Sequence, residues 1–206
     1  PQSLADEEEI RFQADLPEPV PELADWLGGI RTDAEGRRGR VLIEASDLVK
    51  NGHYRGEKLI RHWVAHLALH LAGGPLTTLV LSKAGEVELK PLSVEEAKAH
   101  LTVLLAAWQE GLCRPLPLAA KTAFEWLKAG DASKARTTYE GGFNQTGEVQ
   151  MDAYLARAYP DFDALCASGE FGTLAETLLR PLYEAIPAEK GRSARSADAQ
   201  LNGVSA

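Results

Sequence analysis

Apolar and polar positions alternate from Glu9 to Leu16, with Ile10, Phe12, Ala14 and Leu16 on one side, and this period of two predicts a half-buried strand. Pro17, Pro19 and Pro21 end it, because proline fixes φ and removes a ladder donor. A second extended segment is expected near Leu23 to Thr32 and a third from Arg40 to Ala45. The turn Asp33-Ala34-Glu35-Gly36-Arg37-Arg38-Gly39 joins them and predicts that they pair. From Glu57 to Ala72 the period changes. Leu59, Ile60, Trp63, Val64, Leu67 and Leu71 recur at helical spacing until Gly73-Gly74-Pro75 stops the helix. Leu76 to Ser82 is rich in Thr, Leu and Val, and Lys83-Ala84-Gly85-Glu86 turns the chain into Val87-Glu88-Leu89-Lys90, a hairpin ended by Pro91. Ser93 with Glu96 makes a capping box for a helix that is expected to carry Val94, Ala97, Leu101, Leu104, Leu105 and Trp108 inward as far as Gly111.

Pro115 and Pro117 form an elbow before a helix over Ala119 to Lys128, with Phe124 and Trp126 available for a core. Helices are expected at Ala132 to Tyr139, Asp152 to Tyr159 and Thr173 to Ala185, and the polar, Gly/Ser-containing tail past Pro187 is expected to be disordered. The pattern divides the chain into an acidic, Pro-rich segment over 1–22, a core of strands, helix, hairpin and helix over 23–128, a helical extension over 129–186 and a tail over 187–206. No internal repeat is visible.

At 206 residues, 45% hydrophobic and 25% charged, the chain is long enough for one good core and a small appendage, and too short for a helicase subunit. It opens on Pro1 with no basic, apolar leader, which reads as an excised piece of a longer chain. Cys113 and Cys166 lie far apart and outside any metal-ligand spacing, as free thiols of a reducing compartment would. No apolar run approaches the roughly 20 residues needed to cross a bilayer, so a soluble, cytoplasmic protein is expected.

The net charge of −8 argues against a small, wholly basic nucleic-acid binder, but the charges are unevenly spread. Residues 1–26 hold eight acids against Arg11 alone. From 31 to 61 the balance reverses with Arg31, Arg37, Arg38, Arg40, Lys50, Arg55, Lys58 and Arg61, while Gly36 and Gly39 leave backbone open to a phosphate. This segment is the candidate DNA-binding surface; a solvated loop and helix face is the plain alternative.

The order helix, hairpin, helix is the core order of restriction-endonuclease-like (PD-(D/E)xK) nucleases, and Glu88-Leu89-Lys90 supplies their acid-x-Lys on the second hairpin strand. Such chemistry needs at least two carboxylates on a divalent metal, which polarises the phosphate and lowers the pKa of the attacking water. Gly73 to Gly85 contains neither Asp nor Glu, so the first hairpin strand offers Glu88 no partner. Glu44 or Asp47 could substitute only from a neighbouring strand. These four residues, Glu44, Asp47, Glu88 and Lys90, read as vestiges of a site. His62, His66 and His70 fall at i, i+4, i+8 on one stripe and are weak candidates for a metal, since ligands strung along one helix splay. They border the apolar stripe, and half-burial explains them as well. No P-loop, nucleophile elbow or dinucleotide fingerprint is present, which excludes ATP hydrolysis by this chain.

Several short strings recur in one order: Trp26-Leu27, Gly36 to Arg40, Gly73-Gly74, Leu89-Lys90-Pro91-Leu92-Ser93, Trp108-Gln109-Glu110-Gly111, Pro115-Leu116-Pro117-Leu118, Glu125-Trp126-Leu127, and Lys134-Ala135-Arg136 followed by Tyr139. In that order and spacing the chain resembles the C-terminal part of the RecC family, the gamma chain of exodeoxyribonuclease V. The resemblance covers most of 20–140 and, more loosely, the helices to Ala185. It implies an α/β (mixed α+β) fold with a restriction-endonuclease-like core, a degenerate active site and added C-terminal helices. It also implies assembly with the RecB and RecD subunits near incoming duplex DNA. ATP and Mg²⁺ are implied only for the whole complex, and no cofactor for this fragment. Two other readings stay open: an active Mg²⁺-dependent nuclease using Glu44 or Asp47 with Glu88 and Lys90, and a purely protein-binding module.

Overall fold

The computed structural model describes residues 7–18, 20–129 and 132–187, so the expectation for the tail concerns residues that, from 188 onward, lie outside the described set. The chain forms two compact units, one running to Leu101 and taking up the chain again from Glu184, the other from Thr102 to Tyr183.

In the first unit, β1 (Glu8–Gln13) pairs antiparallel with β2 (Glu22–Leu27). The alternation of Ile10, Phe12 and Ala14 is realised as burial of all three, and β1 packs on the first helix. The extended segment expected near Leu23 to Thr32 is two strands. Gly28-Gly29 breaks it, with Gly29 at a φ of 82° that an L side chain rarely adopts, and β3 (Ile30–Thr32) begins a new sheet. There β3 pairs antiparallel with β4 (Arg38–Ile43), Arg31 opposite Gly39, as the intervening turn predicted.

A two-strand ribbon follows, β5 (Val49–Lys50) and β6 (His53–Tyr54), joined by Asn51 and Gly52 with φ of 53° and 77°. Two left-handed residues in a row are what a tight type I′ turn demands, and Asn-Gly tolerates them best. A 3-10 turn, Gly56–Lys58, leads into α1 (Ile60–Gly73), and Gly74, at φ 86°, ends it. The crossover through α1 lays β7 (Leu76–Leu81) parallel to β4, and β8 (Glu86–Leu89) returns antiparallel beside β7. The four-stranded sheet thus reads β3-β4-β7-β8.

Register assigns the two faces. Leu42, Val80 and Val87 lie in one cross-strand row, and Arg40, Thr78 and Leu89 in the next. Val80, Val87, Thr78 and Leu89 are fully buried, so this inner face is the one that α1 covers. The alternate rows, Val41-Leu79-Glu88 and Ile43-Leu81-Glu86, form the outer face, where Val41 and Ile43 are 46% and 85% exposed.

α2 (Val94–Cys113) starts from the expected box, with Glu96 N–H donating to Ser93 Oγ (3.2 Å) and Ser93 N–H to the Glu96 carboxylate (2.9 Å). Ala97 and Leu101 are buried, but Trp108, expected to face inward, is 56% exposed, and Val94 also lies at the surface. A 20-residue helix is about 30 Å long, and only its first turns have a covered face to bury against. It also runs two residues past Gly111.

The second unit is nearly all helical, so the molecule is mixed α+β. The C-terminal part of α2 belongs to it, followed by α3 (Ala120–Ala129) and α4 (Ala132–Glu140), which pack together. A short hairpin, β9 (Gly141–Gly142) with β10 (Gln145–Thr146), precedes α5 (Glu148–Met151) and α6 (Ala153–Ala158). Then come α7 (Phe162–Cys166), α8 (Glu170–Leu174), a π-helical turn over Ala175–Leu179 and α9 (Arg180–Ala185). The core is an aromatic chain. Tyr139 meets Phe162 at 6.3 Å, Phe162 meets Phe171 at 5.8 Å, and Phe171 meets Trp126 at 6.1 Å between ring centroids. Phe124, expected for the core together with Trp126, is buried, and so is Leu127.

Candidate nucleic-acid interface

Glu44 directly follows β4, and its N–H continues the ladder to Leu81 O (2.7 Å). The pleat places it on the inner side, 6% exposed. Its carboxylate accepts from Ser46 N–H (3.0 Å), from His62 Nε2 (3.0 Å) and from the Arg61 guanidinium. The Ser46 amide, then the His62 hydrogen bond and the Arg61 charge, hold its pKa down at about 2 against the opposing effect of burial. Both carboxylate oxygens already accept from protein donors, Oε1 from Ser46 and Oε2 from His62 and Arg61.

Glu88 belongs to the outer face. Its row holds Val41 and Leu79, and it is exposed. Glu44 and Glu88 therefore sit on opposite sides of the sheet, with β7 between their strands. Asp47 is exposed in the loop after β4, and its carbonyl receives Arg55 Nη1 (3.4 Å). Lys90 is exposed just beyond β8, and its carbonyl accepts from His66 Nε2 (3.1 Å).

The histidine stripe is buried more deeply than a boundary stripe would be. His66 and His70 have no solvent exposure and His62 is 8% exposed. Lys90 O can only accept, so His66 Nε2 carries the proton and Nδ1 takes the Thr78 hydroxyl (2.9 Å). His70 Nδ1 donates to His66 O (2.7 Å), and its Nε2 accepts Leu92 N–H (3.0 Å). All four ring nitrogens are occupied, and both rings are neutral clips that tie α1 to the exit of β8. Burial, then the neighbouring His70, pushes the His66 pKa down to about 4, and burial lowers that of His70 as well. Among the described residues no group of three or more His, Cys, Asp or Glu side chains is arranged to hold a metal. Both cysteines are unpaired thiols.

The basic segment does not act as one patch. Arg38 is largely covered, donating to the Glu8 carboxylate (2.7 Å) and to Gly74 O. Arg40 is half-buried on Gly28 O (2.9 Å), and burial lowers its pKa. Arg55 pairs with Glu57 (3.1 Å) and Arg61 with Glu44. Arg38, Arg40 and Arg55 are tied into the fold, whereas the Arg61 side chain stays 69% exposed beside its buried partner. Arg31, Lys50 and Lys58 have no carboxylate partner among the described residues.

The β3–β4 turn carries what can meet an anion. A groove of about 360 Å³ opens there, lined by Arg31, Arg37 and Arg38 together with Asp33, Gly39, Val41 and Thr77. Asp33 builds the turn. Its carboxylate accepts the N–H of Arg37 (2.8 Å) and of Glu35 (3.1 Å), and the Arg37 amide bond is the main cause of its lowered pKa. Gly36 serves the turn through its φ of 81°. Arg37 reaches Asp33 (2.7 Å) and Glu35 (3.4 Å), yet its side chain is 78% exposed and can exchange these partners for a phosphate. Three of the eight candidate cations thus line one groove. The organiser, Asp33, was not singled out in the sequence, although an Asp three residues before Gly at a turn is a recognisable signal.

The family model described as RecC C-terminal domain matches residues 2–131. A curated relative, the RecBCD enzyme subunit RecC of Escherichia coli (strain K12), is 33% identical over 104 residues, which cover 42% of this chain and 9% of that protein. The chain therefore spans only a small part of that relative's length. Among the described residues no helix is long and apolar enough to cross a membrane.

Proposed function

The chain belongs to the RecC C-terminal domain family, and on that premise we propose that it is a non-catalytic domain of the RecC subunit of exodeoxyribonuclease V, the ATP-dependent DNA helicase-exonuclease of double-strand-break repair by homologous recombination. It works in the cytoplasm, assembled with RecB and RecD. Its core descends from a restriction-endonuclease-like nuclease, its acidic centre is lost, and it holds no cofactor of its own. Its task is assembly and the guiding or splitting of duplex DNA, with Arg31 and Arg37 of the β3–β4 groove touching phosphates without reading sequence.

The observation that carries this reading is the separation of Glu44 and Glu88 onto opposite faces of the sheet, with no acid on β7. One divalent ion needs its oxygens within about 2.5 Å of itself, and two carboxylates divided by a sheet cannot both supply them. Glu44 is moreover consumed by Arg61 and His62. The order α1, β7–β8, α2 supports the nuclease ancestry.

The test is cleavage of linear duplex and single-stranded DNA with Mg²⁺ or Mn²⁺, run beside a Glu88→Ala, Lys90→Ala double variant. No cleavage by either protein is expected; cleavage lost in the variant would make Glu88-Leu89-Lys90 a working site. In the assembled enzyme, an Arg31→Ala, Arg37→Ala variant should bind DNA ends with a salt slope shallower by roughly 2 units, about 1 per phosphate contact. An unchanged slope would move the DNA away from this groove.

A further inference from the structure

The outer face of the four-stranded sheet continues the groove at the β3–β4 turn, and its chemistry changes along the strands. In its first row Arg31 stands opposite Gly39, and Gly39 opposite Thr77. Val41 with Leu79 forms the second row and Ile43 with Leu81 the third. Gly39, Thr77 and Val41 line the groove together with Arg31 and Arg37. Lys90 follows the buried Leu89, so the pleat turns it to this same face, at the Thr77 end of β7. That end is cationic: Arg31 and Lys90 are exposed and have no carboxylate partner among the described residues. The other end is apolar, with Val41 and Ile43 open to solvent.

The two kinds of surface lie a nucleotide's reach apart. Val41 is two residues, roughly 6.6 Å, along the strand from the cationic row, and Ile43 as far again. Gly39 puts no side chain between them. A protein laid over this face would have to bring acids to Arg31 and Lys90, since burying a charge without a partner is costly. A duplex keeps its bases paired inside and would offer Val41 and Ile43 only sugar and phosphate. A ligand that repeats an anion and a flat apolar ring at every unit matches both ends. Glu86 and Glu88 border the apolar strip on β8, and their repulsion holds phosphates at the turn end. At about 360 Å³ the groove is also small for a ligand site and suits one nucleotide rather than two paired strands.

We propose that the outer face is a single-strand platform. One unpaired nucleotide places its phosphate on Arg31, Arg37 and Lys90 and its base against Val41, and the next base reaches Ile43. The inference rests on the reading of the groove as a DNA contact and names the form of DNA it takes, a strand already separated from its complement. Contact through the base face tolerates any sequence, because every base has one.

The experiment uses the assembled enzyme and two ligands: a duplex end carrying an unpaired tail, 3′ or 5′, and the same end with a tail that lacks bases. Val41→Ser is expected to weaken binding of the base-bearing tail about fivefold and to leave the base-free tail unaffected. Its salt slope and thermal transition should not move, since no charge and no buried group is lost. Val41→Phe should tighten the base-bearing tail alone, and Lys90→Ala should make the salt slope shallower by about 1 unit. No loss in Val41→Ser, or an equal loss on both tails, would overturn the platform. A loss of subunit assembly instead would give the face to a protein and overturn it as well. If the Arg31→Ala, Arg37→Ala variant keeps its salt slope, no DNA meets the groove, and the underlying reading fails together with the platform.

Discussion

The two faces of the four-stranded sheet both meet reactive-looking side chains and use them in opposite ways. On the inner face Glu44, His62, His66 and Thr78 are buried and each has a named hydrogen-bond partner. On the outer face Glu88, Arg31 and the apolar Val41 and Ile43 are open. A buried polar group without a partner costs more than a hydrogen bond returns, so residues on the covered face are chosen to satisfy one another. Residues on the open face are under no such constraint and are the ones able to meet a ligand. The histidines and Glu44, which look like chemistry in the sequence, are held by protein partners; the turn at Asp33 to Arg37, within the basic segment singled out in the sequence, stays open at the surface.

The strongest way to break this contrast is His66→Ala. It leaves a cavity and strands both the Thr78 hydroxyl and Lys90 O, and a loss of roughly 4 kcal/mol is expected in urea unfolding. The same residue sets an acid limit. Because the folded-state pKa lies near 4, below the ordinary 6.5, the unfolded chain takes the proton first as pH falls. The contribution of His66 is therefore complete above pH 6.5 and is lost on the way down to about 4, a drop of roughly 3 kcal/mol over the pH window set by its lowered pKa. A stability profile flat across that window would show that the ring is not held neutral.

Glu44→Gln is the intermediate case. The amide keeps the shape but removes the charge facing Arg61 and His62, and a loss of about 1 to 2 kcal/mol follows. With its pKa depressed to about 2, Glu44 contributes stability that is present above pH 4.5 and lost below it. The variant should lack that acid limb, as pH-dependent unfolding would reveal. Ile43→Thr on the outer face is the small effect, within about 0.5 kcal/mol in thermal unfolding. A larger cost would mean that the outer face is covered after all.

The local elements were legible where one physical signal dominated. Alternation found β1, the Gly-Gly-Pro stop ended α1, and Ser93 with Glu96 started α2. Two hairpins were missed although each carries a turn signal, Asn51-Gly52 for β5–β6 and Gly141-Gly142 with Asn144 for β9–β10. Both have strands of two residues, too short for any periodicity to register. The inward placement of Trp108 failed for the opposite reason: helical spacing states which residues share a stripe but not how far along the helix a neighbour covers it. The basic segment was legible as composition only, since Arg38, Arg55 and Arg61 are claimed by Glu8, Glu57 and Glu44, and two of those acids are distant in sequence.

By itself the sequence determined the longer elements, their order and the family, because periodicity, turn chemistry and the spacing of short strings are local properties. It also determined that β7 has no acid to offer. Only the tertiary structure decided which face of each strand is covered, and so which polar residues are spent. Parallel pairing of β4 with β7 through α1 sends Glu44 inward and leaves Glu88 outward, and that outcome depends on a register between residues 38 apart in sequence that no local pattern encodes.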